Sequence, residues 1–119
     1  MGGEKILAGL IAAAGINALI GCGKDRSLTV GSKNFTEQVI LGEIVAQHVS
    51  LRLSQRVDRK LNLGGTLLAH QAMLQGGLDL YPEYTGTALT SILKLPLSSD
   101  PTAVFATVKA EYLSRFRIH

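Results

Sequence analysis

The chain has 119 residues, enough for one small domain and too few for two. With 46% hydrophobic and 18% charged residues it is too apolar for a disordered segment, and a net charge of +3 falls short of the dense basic patch that nucleic-acid binding needs. One cysteine excludes an internal disulfide and a Cys-rich zinc site, and three scattered histidines argue against a His-based metal centre.

The first element is the apolar run Ile6–Gly21, in which Asn17 is the only polar side chain. It is shorter than the about 20 residues of a spanning helix and a little longer than a secretory h-region. Its end, Leu19-Ile20-Gly21-Cys22, resembles the bacterial lipobox, where a small residue precedes a cysteine that is lipidated and becomes the new N-terminus. That resemblance implies a signal peptide over residues 1–21, a lipid anchor on Cys22, a linker over 22–27 and a folded segment over 28–119. A multi-chain lipid holds a protein at a membrane where one chain does not. An uncleaved anchor helix with an inert cysteine is the alternative.

Beyond the linker the chain reads as strand–helix units. Leu28–Ser32 is short and β-branched at Thr29 and Val30, and predicts a strand. A helix follows, with Asn34 as its cap and Glu37 closing a capping box, or with Thr36 as the cap. Its apolar face is expected to be Ile40, Leu41, Ile44, Val45, His48 and Val49, with Glu43 and Gln47 opposite. The alternation over Gln55–Leu63 predicts a second strand ended by Gly64-Gly65. Thr66–Gln75 predicts a second helix stopped by Gly76-Gly77. Leu78–Tyr81 predicts a third strand closed by Pro82, and Thr85–Leu93 a third helix. Asp100 with Pro101 at the first helical position opens a fourth, whose apolar stripe is Val104, Phe105, Val108, Tyr112 and Phe116.

This order predicts an α/β fold, an open and mostly parallel sheet flanked by helices. Ligands of such sheets bind at the carboxyl ends of the strands. Here those ends carry Gly31-Ser32-Lys33, Gly64-Gly65-Thr66 and Tyr81–Thr87, three polar turns that the topology should gather at one edge.

Three stretches, VGSKNFTEQ (Val30–Gln38), LNLGGT (Leu61–Thr66) and DLYPEYTGT (Asp79–Thr87), resemble the substrate-binding proteins of osmoprotectant ABC importers. Those proteins take up glycine betaine, carnitine, choline and related quaternary ammonium compounds. The resemblance implies part of lobe one of a type II periplasmic-binding-protein fold, cut off before the second lobe. It implies an extracytoplasmic receptor, lipid-anchored at the cell envelope, that partners a quaternary ammonium ligand and the permease subunits of the importer. No cofactor, metal, nucleic acid or catalysis is implied.

A trimethylammonium group donates no hydrogen bond and is held by aromatic faces, each contact worth roughly 0.5–2 kcal/mol. The resemblance maps a cage tyrosine onto Tyr84, with Tyr81 the second candidate. It maps a carboxylate partner onto Lys33 and a hydroxyl donor onto Thr87. For choline, Asp79 and Gln38 become candidates for the ligand hydroxyl. The bland alternatives are tyrosines that pack the turn, a solvated lysine and a helix-capping threonine. His48, His70 and the basic cluster Arg52, Arg56, Arg59 and Lys60 read as ordinary surface or half-buried residues. Two other functions are set against the receptor: a truncated fragment that binds nothing tightly, and a small α/β enzyme using Asp79 and Glu83. The latter pair lacks a nucleophile or metal beside it.

Overall fold

The computed structural model describes residues 26–119; the apolar run, its lipobox-like end and Cys22 lie outside the described residues. Strand β1 (Leu28–Gly31) pairs in parallel with β2 (Val57–Lys60), Leu28 opposite Val57 and Gly31 opposite Lys60. Helix α1 (Thr36–Leu53) makes the crossover that a parallel pair requires. Helix α2 (Thr66–Leu74) follows β2. A single turn α3 (Thr85–Thr87) runs directly into a π turn (Ala88–Ile92), where Leu93 N–H reaches back to the Ala88 carbonyl. Helix α4 (Pro101–Phe116) closes the described chain. Among the described residues no helix is long and apolar enough to cross a membrane.

The sheet is shorter than the sequence suggests, for local reasons. The expected third strand is one parallel bridge, Val30 to Leu80. Gly31 N–H donates to the Leu80 carbonyl, and the Asp79 and Leu80 N–H groups both converge on Thr29 O. Pro82 then has no N–H with which to extend the ladder. The second strand stops at Lys60 because Asn62 (φ 61°) and Gly64 (φ 122°) have left the β region. The expected single third helix is split between α and π geometry at Ala88.

The start of α1 also differs. Phe35 occupies the cap position without a side-chain cap, so no Asn34 capping box forms. Instead the Asn34 N–H is spent on Gly64 O, and Gln38 Oε1 accepts the Lys33 N–H at 3.4 Å. Helix α4 begins as its sequence predicts, with Thr102 N–H donating to the Asp100 carboxylate at 2.9 Å.

The buried face of α1 is not the one that its large apolar residues mark. Gln38, Gly42 and Ala46 face inward, while Ile40 and Ile44 remain 54% and 56% exposed. Close approach of the helix to β1 selects for small residues. A Cβ on Gly42 would stand 2.8 Å from Leu61 Cδ2, 3.1 Å from Ser32 Cβ and 3.2 Å from the Gly31 carbonyl oxygen. One core cluster is Val30, Ala46 and Val57, with Val45 and Val49 against it. A second is Ala88, Leu89, Leu93, Val104 and Tyr112, with Val108 and Phe116 against it. Phe105, expected in the stripe of α4, is largely exposed.

This packing predicts opposite responses on two faces of one helix. Gly42→Ala should destabilise the chain by about 1–3 kcal/mol through overpacking against a backbone oxygen that cannot yield. Ile44→Ser should change stability by about 0.5 kcal/mol or less, as an exposed substitution. Urea unfolding monitored by circular dichroism measures both.

Candidate functional site

The three polar turns meet at the carboxyl end of β1. Lys33, the residue after Gly31-Ser32, turns its side chain inward and is only 2% exposed. A lone buried ammonium is costly, so it must be paired and hydrogen-bonded. Its Nζ forms an ion pair with Glu83 Oε1 from the Tyr81–Thr87 turn and donates to Thr66 Oγ1 at 3.3 Å, the first residue of α2. Glu83 Oε1 also accepts the Tyr84 N–H at 2.8 Å. One carboxylate oxygen thus ties a strand end to a turn about fifty residues away in the chain.

Aromatic faces cover the same ammonium. Lys33 Nζ lies 5.0 Å from the centre of the Tyr84 ring and 5.6 Å from that of Phe35, within cation–π range of both. The two rings stack with centroids 6.2 Å apart and an interplanar angle of 18°. Phe35 is 43% exposed, so the pair carries this aromatic surface outward to solvent. Gln38 lies fully buried beneath the turn. Gln38 Nε2 and Tyr84 Oη are both buried and have no hydrogen-bond partner among the described residues.

Lys33, Gln38 and Tyr84 of the expected site residues are therefore brought together. Asp79 is placed elsewhere: it accepts the Thr29 N–H at 2.8 Å and pairs with Arg26 at 3.0 Å. Asp79 and Glu83 thus serve different partners. Thr87 ends α3, half-buried. Phe35, Thr66 and Glu83 belong to the cluster although the sequence alone did not mark them as binding residues. Phe35 could have been singled out as one of only six aromatics, placed three residues from the strand end. Glu83 gave no such signal, because its partner is remote in sequence.

Tyr81 has other neighbours than Tyr84. Its hydroxyl is buried near Glu83 and Tyr112 without a hydrogen bond to either, and burial pushes its phenol above the ordinary range, with the Glu83 charge adding to the effect. Burial pushes Tyr112 up to about 12, again with Glu83 adding. His70 of α2 sits edge-on to Tyr112 and Phe116, with centroids 5.6 and 4.7 Å away. Burial pushes its imidazole below the usual value while the Glu83 charge pulls the other way. An open cleft of about 630 Å³ runs over this region, lined among others by Tyr81, Glu83, Tyr84, Phe105 and Tyr112. No cluster of three or more His, Cys, Asp or Glu suited to a metal occurs among the described residues.

Apo YehZ from Escherichia coli has the same fold over this region: TM-score 0.68, 29% identity, 76% of this chain and 32% of that one. The fold and the edge site therefore define an α/β lobe of a periplasmic binding protein. Residues 26–118 match the model for the substrate binding domain of the ABC-type glycine betaine transport system, and the chain belongs to that family. It is 32% identical over 107 residues to the carnitine transport binding protein of Listeria monocytogenes, covering 89% of this chain and 34% of the relative. It is 37% identical over 99 residues to the glycine-betaine-binding protein of Pseudomonas aeruginosa, covering 83% and 31%. With the ergothioneine transport permease/ergothioneine binding protein of Helicobacter pylori it shares 35% identity over 100 residues, covering 80% and 17%. The chain thus spans about a third or less of the length of these relatives.

Breaking the buried pair on one side should cost far more than removing it whole. Lys33→Met should destabilise the chain by about 3–5 kcal/mol, and Lys33→Met with Glu83→Leu should recover most of that loss. Urea midpoints of the three proteins measure this. His70 gives a pH prediction. Its folded pKa lies below its unfolded one, so the unfolded chain takes up the proton first. Stability should therefore fall as pH drops through about 6.5 toward the lower folded value. His70→Phe should flatten that part of a pH series of thermal melts.

Proposed function

We propose that the chain forms part of the first lobe of an extracytoplasmic receptor that captures a quaternary ammonium osmoprotectant and delivers it to an ABC permease. Glycine betaine, carnitine and choline are the ligands considered. Glycine betaine and carnitine, named in relatives, both carry a trimethylammonium group and a carboxylate. The observation that carries the reading is the stacked Phe35–Tyr84 surface at the carboxyl end of β1. It stands where the ligands of open α/β sheets bind, and it offers the chemistry that a cation without N–H groups needs.

In this reading Tyr84 is the lobe's principal cage ring. Gln38 Nε2 and Tyr84 Oη supply unspent polar atoms, and Thr87 supplies a hydroxyl. Lys33 backs the rings as the cation beside them, and Tyr81 and Asp79 line the adjoining cleft. Further aromatic walls come from outside this lobe. Binding is without chemistry: the function is capture and release. We further propose that residues 1–21 are a signal peptide, that Cys22 carries the lipid anchor, that 22–27 form the linker and 28–119 the lobe segment. The mature protein then stands on the outer face of the cytoplasmic membrane or in the periplasm.

Tyr84→Ala should weaken glycine betaine binding more than tenfold, while Tyr84→Phe, which keeps the ring face, should stay within about threefold. Isothermal titration against glycine betaine checks both, and equal affinity for wild type and Tyr84→Ala would take Tyr84 out of the site.

A further inference from the structure

Lys33 and Tyr84 are held in a geometry that assigns them unlike roles. Of the three N–H donors of the ammonium, one is spent on Glu83 Oε1 and one on Thr66 Oγ1. The nitrogen itself lies over the Tyr84 ring at 5.0 Å. The carboxylate that neutralises it also holds the Tyr84 backbone, through the N–H that donates to Glu83 Oε1. Lys33 and Glu83 therefore grip Tyr84 twice: by its main chain and by one face of its ring. With Lys33 only 2% exposed, this grip is internal.

We propose that Lys33 and Glu83 are positioning residues for Tyr84, and that the protein's own ammonium occupies one face of that ring so that a ligand ammonium is taken on the opposite face. Lys33 then does not read a ligand carboxylate. The ligand class this edge selects is the quaternary ammonium head itself, with or without an acid group. The proposal deepens the receptor reading and rests on it for the ligand. The internal grip on Tyr84 stands on geometry alone.

The charge balance supports the assignment. Glu83 is neutralised by Lys33, so the ring faces are backed by a closed ion pair. A primary ammonium would compete for Glu83 by hydrogen bonding, whereas a quaternary one has no donor with which to do so.

The test has a ligand-free arm and a ligand arm, run on wild type, Glu83→Gln and the charge-free double variant Lys33→Met with Glu83→Leu. The double variant keeps the test open where a single one fails to fold. In aromatic NMR spectra without ligand, the Tyr84 ring signals, assigned by their loss in Tyr84→Phe, should move in both variants. Unmoved signals would overturn the proposal. In titrations, the double variant should lose about tenfold in affinity for glycine betaine and for tetramethylammonium alike. Tetramethylammonium has no carboxylate, so a loss confined to glycine betaine would make Lys33 a carboxylate partner and sink the proposal. A Glu83→Gln protein that binds glycine betaine more tightly, through a freed Lys33, would sink it too. If wild type binds neither cation, the receptor reading fails, and the ligand-free spectra alone decide whether Lys33 and Glu83 hold Tyr84.

Discussion

The buried pair of Lys33 and Glu83 is the constraint on which the rest of the lobe's edge depends. A lysine ammonium at the end of β1 cannot lie in an apolar interior without a partner, and the nearest anion in space comes from the turn after the Leu80 bridge. Satisfying that charge draws three separate segments together: the strand end, the start of α2 through Thr66, and the Tyr81–Thr87 turn. Such a pair contributes little net stability over an apolar substitute of the same shape. What it does here is bind one arrangement together, with Glu83 Oε1 accepting from both Lys33 Nζ and the Tyr84 N–H.

The second effect of the pair is electrostatic, and it reaches the other core. Glu83 Oε2 is buried without a hydrogen-bond partner among the described residues. Its charge raises the phenols of Tyr81 and Tyr112 beyond the effect of burial and partly offsets the burial of His70. Tyr112 belongs to the core of α4 and the π turn, and His70 to α2. The same carboxylate thus touches the sheet edge on one side and the helical core on the other. A change in its charge would be felt by both.

Much of this was legible in the sequence, and the gaps have physical causes. The parallel strand–helix order, the gathering of three polar turns, the Asp100-Pro101 helix start and the stop at Gly76 all follow from local chemistry, and the structure has them. The buried face of α1 was misread because periodicity weights large apolar residues. There the contact with β1 is so close that Gly42 and Ala46 fill it, leaving Ile40 and Ile44 outside. The third strand was overread because Leu78–Tyr81 has strand composition, yet Pro82 leaves room for only one bridge. Lys33 was singled out by the resemblance of its VGSKNFTEQ stretch and by its place after a strand, both local facts. Glu83 was not singled out for binding, because its partner depends on a contact spanning about fifty residues, which no local pattern encodes.

The sequence logic of the edge can then be stated as a division of labour between charge and aromatic surface. Lys33 is closed upon Glu83, and Asp79 upon Arg26 and the Thr29 N–H. What faces outward is the exposed part of the Phe35–Tyr84 stack. A surface built this way attracts a cation by its ring quadrupoles, so shape and desolvation contribute to discrimination alongside charge. Under the receptor reading proposed above, a soft cation carrying three methyl groups would be held by many weak face contacts, each lost at little cost on release.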